Sequence, residues 1–423
     1  MTRDPAMVMR HDNEPLFASL LEACHVMSLE DLPDQLRQSA ELAGMHGLRI
    51  YVADLQEDVL RLLTGRGADA GESSGESLTE LCIDATAAGR AFQSVQPVRD
   101  ADEGGDCWWV PLRDGAERVG VLRVDRDGSG EQASPVLRQL AALVTMIILS
   151  KRSSSDAYAR RVRTRPMNVA AEMQWNLMPP RAFANDRVAI SATLEPAYEI
   201  GGDAFDYALS GDTVHLGIFD ATGHDVPAGL TANLAVAACR NHRRQGTELA
   251  GIGKGIESTL LEELHPDRYV TALLADLDIR TGRLSWISHG RHPPVIIRDG
   301  SWDTPTAHTP GHPLGSDLGV EAHLSQEQLQ PGDRVVLYTD GITETHSPGG
   351  EEFGLDRFMS FLIGHNAEGM PVPETLRRLV HTSLDYHHGG LQDDATVLFL
   401  EWRGPRARFD GSETPAELIS HPD

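Results

Sequence analysis

The stretch from residue 213 to 225, TVHLGIFDATGHD, decides the fold of the larger part of this chain. It is an apolar strand that ends on Asp220 and runs into a turn of small residues. The stretch 333–341, DRVVLYTDG, has the same form: an apolar strand ends on Asp340, and Gly341 follows. Glycine allows tight turns and close backbone approach, so each carboxylate is predicted to lie at the end of a strand.

Two further segments place aspartates next to strands. In QDDATVLFLEW, residues 392–402, the pair Asp393 and Asp394 precedes a strand, and in YEIGGDAFDY, residues 198–207, Asp203 follows Gly201 and Gly202. Any one of these aspartates could be a turn former or a helix N-cap. Because carboxylates at strand ends can meet at one edge of a sheet, we expect the aspartates at 203, 220, 340 and 393 to converge.

A cluster of aspartates favours a metal site. Neighbouring carboxylates repel one another and raise each other's pKa, and a divalent cation removes that penalty. Ligation by oxygen alone suits Mg²⁺ or Mn²⁺. Two such ions ~4 Å apart can activate a water and hold a phosphoryl group.

The region 181–402 is predicted to be one domain built on antiparallel sheets. Its strand-like runs are separated by short turns such as Thr281-Gly282, and this spacing favours antiparallel over parallel pairing. The predicted strands are 188–194, 213–219, 269–277, 283–288, 295–298, 334–338 and 396–402, and the predicted helices are 228–244, 250–264 and 373–386.

Composition limits the classes of function. The 423 residues suggest two or three domains. A formal net charge of −26 argues against general nucleic-acid binding, because the chain would be repelled by a polyanion. The four cysteines are scattered and the N-terminus has no apolar signal core, so we expect a cytoplasmic protein. The most apolar run, 140–149, is about half of the ~20 residues that a membrane span needs, which favours a core or dimer-seam helix.

Residues 14–150 are predicted to form an α/β module, ahead of a connector at 151–180 and of a flexible tail at 403–423. Helices at 16–27 and 32–43, a strand at 48–55, a hairpin across Asp114-Gly115 and a closing helix at 134–152 occur in this order. The pieces GLRIYVADL and WWVPLRDGAERVGVLRV resemble a GAF-type sensor domain. The resemblance implies a small-molecule ligand or dimerisation as a homodimer; a fold that only dimerises is the alternative.

The connector ends in an apolar stripe. Val169, Met173 and Leu177 recur at i, i+4 and i+8, and Pro179-Pro180 ends the helix. We expect an amphipathic helix whose apolar face packs, or transmits a change of state between domains.

The second domain resembles the PPM-family, 2C-type metal-dependent protein phosphatases, in their SpoIIE/RsbU-like bacterial branch. Five blocks, in the order of the family, carry the resemblance: AAEMQWNLMPP with PAYEIGGDAFDY, GIFDATGHDVPAGL, YVTALLADLD with HGRHPP, GHPLG with LQPGDRVVLYTDGITE, and QDDATVLFL. The resemblance implies an α+β fold, with two antiparallel sheets packed as a sandwich between helices. It also implies two divalent cations, Mn²⁺ or Mg²⁺.

The resemblance assigns roles to particular residues. Asp220 would bridge both metals, with the backbone carbonyl of Ala221 as a further ligand. Asp340 and Asp393 would complete the set of ligands of one metal ion. Asp203 would lie near the metals or their waters. Asp394 would support these ligands.

Two positions depart from the family pattern. The family's Gly-His-Gly reads Gly223-His224-Asp225, which adds a carboxylate near the site. Its Ala-Gly-His-Pro block has Arg291 in place of the glycine. That arginine could contact phosphate, or be a structural or surface residue.

The resemblance therefore implies a protein-serine/threonine phosphatase in which an activated water attacks in line, without a covalent enzyme intermediate. Its substrate would be a phosphoserine or phosphothreonine protein such as a STAS-type anti-sigma-factor antagonist. The N-terminal module would regulate the phosphatase activity. The alternatives are a phosphoprotein-binding sensor or scaffold without turnover, and a metal phosphodiesterase.

Overall fold

The computed structural model describes residues 13–41, 43, 45–65, 79–101, 106–125, 135–199, 201–223, 225–264, 268–305, 309–319, 322–344, 352–367, 370–386 and 393–405. The chain divides between Arg165 and Pro166 into two compact units, within the predicted connector. Apart from 403–405, the predicted tail lies outside the described residues.

The first unit is built on a six-stranded antiparallel sheet. In chain order its elements are α1 (Glu14–Cys24), α2 (Leu32–Glu41), β1 (Arg49–Ala53), β2 (Val59–Leu62), β3 (Glu80–Cys82), α3 (Ala87–Ser94), β4 (Val98–Asp100), β5 (Cys107–Asp114), β6 (Glu117–Asp125), α4 (Pro135–Lys151) and α5 (Asp156–Val162). The strand order is β3-β2-β1-β6-β5-β4. The hairpin predicted across Asp114-Gly115 is confirmed, since β5 and β6 pair on either side of it.

Alternate residues of the strands face two different sets of helices. Ile50 and Val110 pack with α1, α2 and α4, whereas Tyr51 and Trp109 pack with α3 on the other face. The apolar run 140–149 lies in α4 and is part of this core. Among the described residues no helix is both long and apolar enough to cross a membrane.

The second unit contains two antiparallel sheets. Its elements are α6 (Val169–Leu177), β7 (Ala182–Ala184), β8 (Val188–Glu195), β9 (Asp203–Ser210), β10 (Thr213–Ala221), α7 (Val226–Arg244), α8 (Leu249–Glu263), β11 (Val270–Asp278), β12 (Arg283–His289), β13 (Val295–Arg298), β14 (Ser301–Asp303), β15 (Ser325–Gln328), β16 (Arg334–Tyr338), α9 (Leu355–Ala367), α10 (Val372–Tyr386) and β17 (Ala395–Trp402). One sheet has the order β15-β12-β11-β10-β9 and the other β14-β13-β16-β17-β8-β7.

The two sheets pack face to face, with helices on both outer faces. Phe205 and Leu216 of the five-stranded sheet share a buried core with Leu337 and Leu398 of the six-stranded sheet. The outer face of the five-stranded sheet packs against α7 and α8. The outer face of the other sheet packs against α9 and α10. The predicted sandwich of antiparallel sheets between helices is confirmed. Each fully buried aliphatic or aromatic side chain stabilises the folded state by about 1.5–3 kcal/mol.

Helix α6 exists as predicted, but of its predicted apolar stripe only Leu177 packs against a buried core. Val169 is 65% exposed and Met173 is 39% exposed, whereas Ala170, Ala171 and Gln174 are buried. Ala171 packs in the core between the two sheets. Ala170 faces α7, since a Cβ placed on Gly229 would lie 3.0 Å from the Cβ of Ala170. Close approach between the two helices therefore selects alanine and glycine at the contact.

Candidate metal centre

The ends of four strands meet at one edge of the sandwich. Asp220, near the end of β10, lies directly opposite Asp203, the first residue of β9, in antiparallel register. In the other sheet the chain leaves β16 beside the start of β17, where Thr339 N–H donates to the Thr396 carbonyl oxygen at 2.9 Å. This pairing brings Asp340, after β16, to the same place as Asp393, before β17.

Asp203 joins the two sheets at this edge. Its Oδ2 accepts hydrogen bonds from the hydroxyls of Thr339 and Thr396, both at 2.7 Å. The Asp203 residue is only 2% exposed. Ala221, which follows Asp220 in β10, is also buried. Its N–H donates to the Gly202 carbonyl oxygen at 2.9 Å. The predicted residues at 203, 220 and 221 are thus brought together with the end of β16.

Asp394 holds the glycine turn that leads into Asp203. Its Oδ2 accepts the backbone N–H groups of Gly201 and Gly202 at 2.7 Å each, and that of Asp203 at 3.3 Å. A Cβ on Gly202 would lie 2.2 Å from the Ala221 carbonyl oxygen, and one on Gly341 would lie 1.9 Å from the Asp394 carbonyl oxygen. Both contacts require glycine, because no side chain fits at these distances.

The buried aspartates at this edge act on one another electrostatically. Burial raises the pKa of Asp203 well above its usual range, and the charges of Asp220 and Asp394 add to this effect. Burial also raises the pKa of Asp220 to about 6; the charge of Arg291 opposes the rise, while Asp393, Asp340 and Asp394 reinforce it. The donor set is therefore made of oxygen atoms with excess negative charge, which fits a hard divalent cation such as Mg²⁺ or Mn²⁺.

Arg291 lies inside this cluster. Its side chain is 2% exposed, so it is not a surface arginine. Its guanidinium donates to the carboxylate of Asp220, to Asp340 Oδ1 at 3.3 Å and to Thr271 Oγ1 at 2.9 Å. In the part of the chain that the structure describes, no group of three or more His, Cys, Asp or Glu side chains is arranged to hold a metal ion. The sequence left the role of Arg291 open, and the structure places its cation between two of the predicted ligands.

Asp225, the second departure, is a helix cap. Its Oδ1 accepts the N–H of Ala228 at 2.9 Å at the first turn of α7. Its two oxygens also pair with the guanidinium of Arg268, at 3.2 Å each, and the hydrogen bond from Arg268 is the main reason that the pKa of Asp225 is lowered. His224 lies outside the described residues.

Gln174 is a residue of the site that the sequence did not reveal. From α6 its Nε2 donates to the carbonyl oxygens of Asp203 at 2.9 Å and Gly201 at 3.3 Å. Gln174 therefore fixes the same turn that Asp394 holds from the other side. The apolar stripe drew attention to the opposite face of this helix, so only the block AAEMQWNLMPP as a whole pointed to it.

Asp206 provides a test of which aspartates belong to the centre. It lies three residues after Asp203, on the other face of β9, and its buried carboxylate pairs with Arg240 and Arg243 of α7, each at 2.7 Å. Replacing Asp206 with alanine leaves both guanidinium groups without this partner, so we expect about 3–5 kcal/mol loss of unfolding free energy. Affinity for Mn²⁺ should be unchanged in the folded protein. Urea unfolding and calorimetric Mn²⁺ titration measure the two effects, and a loss of Mn²⁺ affinity would place Asp206 in the centre.

The family that matches this chain does so within the second unit. A family model described as Stage II sporulation protein E (SpoIIE) matches residues 210–403, which include Asp220, Asp340 and Asp393 but not Asp203. The phosphoserine phosphatase RsbU of Bacillus subtilis is 20% identical over 236 residues, covering 55% of this chain and 69% of that protein. The phosphoserine phosphatase RsbP of the same organism is 24% identical over 185 residues, covering 43% of this chain and 45% of that protein. Among solved structures, the SiaA-PP2C domain of Pseudomonas aeruginosa has a TM-score of 0.47 at 24% identity, covering 55% of this chain and 94% of that one.

Proposed function

We propose that the second unit is a metal-dependent protein-serine/threonine phosphatase whose centre is the carboxylate cluster at the joined ends of its two sheets. The observation that carries this proposal is the convergence of Asp220, Asp340, Asp393 and Asp394 with the buried Asp203. Two curated relatives are named phosphoserine phosphatases, and the SpoIIE family match includes most of these residues; both support the enzyme assignment.

The residues of the chain have distinct parts in this proposal. The carboxylates of Asp220, Asp340 and Asp393 and the carbonyl of Ala221 would hold two divalent cations, Mn²⁺ or Mg²⁺. Bound metal would supply activation of water and neutralisation of the phosphoryl charge. Asp203, fixed by Thr339 and Thr396, would orient metal or water from within the sandwich. Asp394 would position the Gly201-Gly202 turn.

The proposed substrate is a phosphoserine or phosphothreonine protein of the STAS-type anti-sigma-factor antagonist class. The names of RsbU and RsbP support the phosphoserine part. We further propose that the chain works in the cytoplasm as a homodimer, and that its first unit, as a GAF-like sensor of a small molecule, regulates the phosphatase.

One observation favours a second candidate function. The Arg291 guanidinium bonds to Asp220 and Asp340, two of the residues that would bind metal, as expected of a phosphoprotein-binding scaffold without turnover. A metal phosphodiesterase is the third possibility, because two metals also suit diester cleavage.

Assays of the full chain with saturating Mn²⁺ distinguish these functions. We expect phosphate release from a phosphoserine protein and no cleavage of bis(p-nitrophenyl) phosphate. Saturable binding of the phosphoprotein without release would support the scaffold. Cleavage of the diester alone would support the phosphodiesterase.

A further inference from the structure

Arg291 is held in place from several directions at the candidate metal centre. Its Nε donates to Thr271 Oγ1 at 2.9 Å, and its two terminal nitrogens donate to Asp220 and Asp340. Its own backbone is fixed by Ser288, whose hydroxyl donates to the Arg291 carbonyl oxygen at 2.6 Å and lies 3.2 Å from the Arg291 N–H. With the side chain 2% exposed, this is a built and desolvated position.

The two carboxylates that Arg291 joins come from different sheets. Asp220 ends β10 of the five-stranded sheet, and Asp340 follows β16 of the six-stranded sheet. A planar guanidinium can donate to two carboxylates at once, so one side chain links both sheets and supplies positive charge where they meet. A divalent cation between the same two carboxylates would serve both purposes.

Arg291 brings positive charge into contact with two carboxylates of the cluster. Arg291 opposes the rise in pKa of both Asp203 and Asp220, which burial and the neighbouring carboxylates produce. Among the described residues, His292 is a second basic group near Asp340, but its Nε2 is 4.0 Å from Asp340 Oδ1, it is 69% exposed, and it carries charge only when protonated. Arg291, by contrast, is a buried cation in direct contact with both Asp220 and Asp340.

We propose that the Arg291 guanidinium is a resident counter-ion of the carboxylate cluster, bound to Asp220 and Asp340 where a divalent cation would otherwise bind, so that metal must displace it. This proposal rests on the proposed metal centre. Metal affinity in this chain is then set by a competition between Arg291 and the cation. In the metal-free protein Arg291 offsets part of the negative charge of the cluster, and the centre fills only when the free metal concentration is high enough to displace the guanidinium.

Replacing Arg291 with methionine tests the proposal in the full chain, because methionine keeps much of the volume of the side chain and removes its charge. We expect the Kd for Mn²⁺, measured by titration calorimetry, to fall at least about tenfold. In EDTA, the Tm of the variant should be lower than that of the wild type by roughly 5–10 °C. Saturating Mn²⁺ should restore most of that difference. Arg291→Lys keeps one positive charge but cannot donate to two carboxylates through a planar guanidinium. Its Kd for Mn²⁺ and its Tm in EDTA should lie between those of the wild type and Arg291→Met.

Arg298→Met is the matched control. Arg298 pairs with the buried Asp333 of the same unit, with Nε 3.0 Å from Asp333 Oδ1. Its loss should lower the Tm equally with and without Mn²⁺ and leave the Kd for Mn²⁺ unchanged.

The outcomes separate this proposal from the one on which it rests. Unchanged or weaker Mn²⁺ binding by Arg291→Met, beside measurable binding by the wild type, would overturn the counter-ion role and leave the metal centre standing. An unchanged Tm in EDTA would also overturn it. If neither protein bound Mn²⁺, both the metal centre and the displacement of Arg291 would be contradicted.

Discussion

Replacing Asp220 with alanine is expected to lower metal-dependent phosphate release by about three orders of magnitude. Asp220 is the carboxylate on which the charges of Asp340, Asp393, Asp394 and Arg291 all act. A catalytic metal supplies several kcal/mol of transition-state stabilisation, which corresponds to a rate change of this size. Phosphate release from a phosphoserine protein in Mn²⁺ measures the effect, with circular dichroism as the check that the variant is folded.

A surface aspartate at the opposite end of the same strand is the control for this variant. Asp212 immediately precedes β10, and its half-exposed side chain pairs with Arg187 at 2.7 Å. Asp212→Ala should retain activity within about twofold, since exposed ion pairs contribute about 0–1 kcal/mol. If Asp220→Ala released phosphate as fast as Asp212→Ala, the proposed role of Asp220 would be wrong.

Replacing Asp394 with alanine is expected to lower both the free energy of unfolding and the rate of phosphate release. The substitution takes away the acceptor for the buried N–H groups of Gly201, Gly202 and Asp203. Leaving buried donors unsatisfied costs about 1–3 kcal/mol each, so we expect a total loss of about 3 kcal/mol or more in unfolding free energy. Urea unfolding of the metal-free protein measures this loss, and phosphate release measures the accompanying misplacement of Asp203.

Asp394→Asn gives a graded comparison for that result. Its amide oxygen can still accept from the glycine turn, although without the strength of a charged acceptor. The asparagine variant should therefore lose less stability than the alanine variant. Equal stability of the wild type and the alanine variant would show that the turn does not depend on Asp394.

Patterns that act over a few residues were predictable from the sequence. The alternating or apolar runs at 213–219, 334–338 and 396–402 became β10, β16 and β17. The strand-end positions of the aspartates at 203, 220, 340 and 393 also led to the prediction of a metal site, which stays a prediction. The strand predictions succeeded because apolar periodicity is a local signal.

Contacts between distant segments were not predictable in this way. Asp394 and Gly201 are 193 residues apart, and nothing local to either shows that one carboxylate would accept the N–H of the other. Arg291 gave no sign of its burial, because an arginine between two apolar strands is most often exposed. The strand β9 was described only as an acidic segment, since Asp203 and Asp206 interrupt its apolar residues.

Helix α6 shows how a regular pattern can mislead. Val169 and Met173 formed an apolar stripe, but the helix buries Ala170, Ala171 and Gln174 instead. The buried face makes the close contact with Gly229 and the hydrogen bonds of Gln174. This orientation of α6 also places Gln174 at the turn beside Asp203.

Binding of Mn²⁺ to the wild-type chain and to Asp220→Ala tests the central claim most directly. The carboxylate cluster, as a metal centre, predicts saturable calorimetric binding of about two ions per wild-type chain. The alanine variant should lose this binding, and a cooperative unfolding transition in urea should show that it is still folded. Equal Mn²⁺ binding by the two proteins would contradict the claim that these converging strand ends form the metal centre.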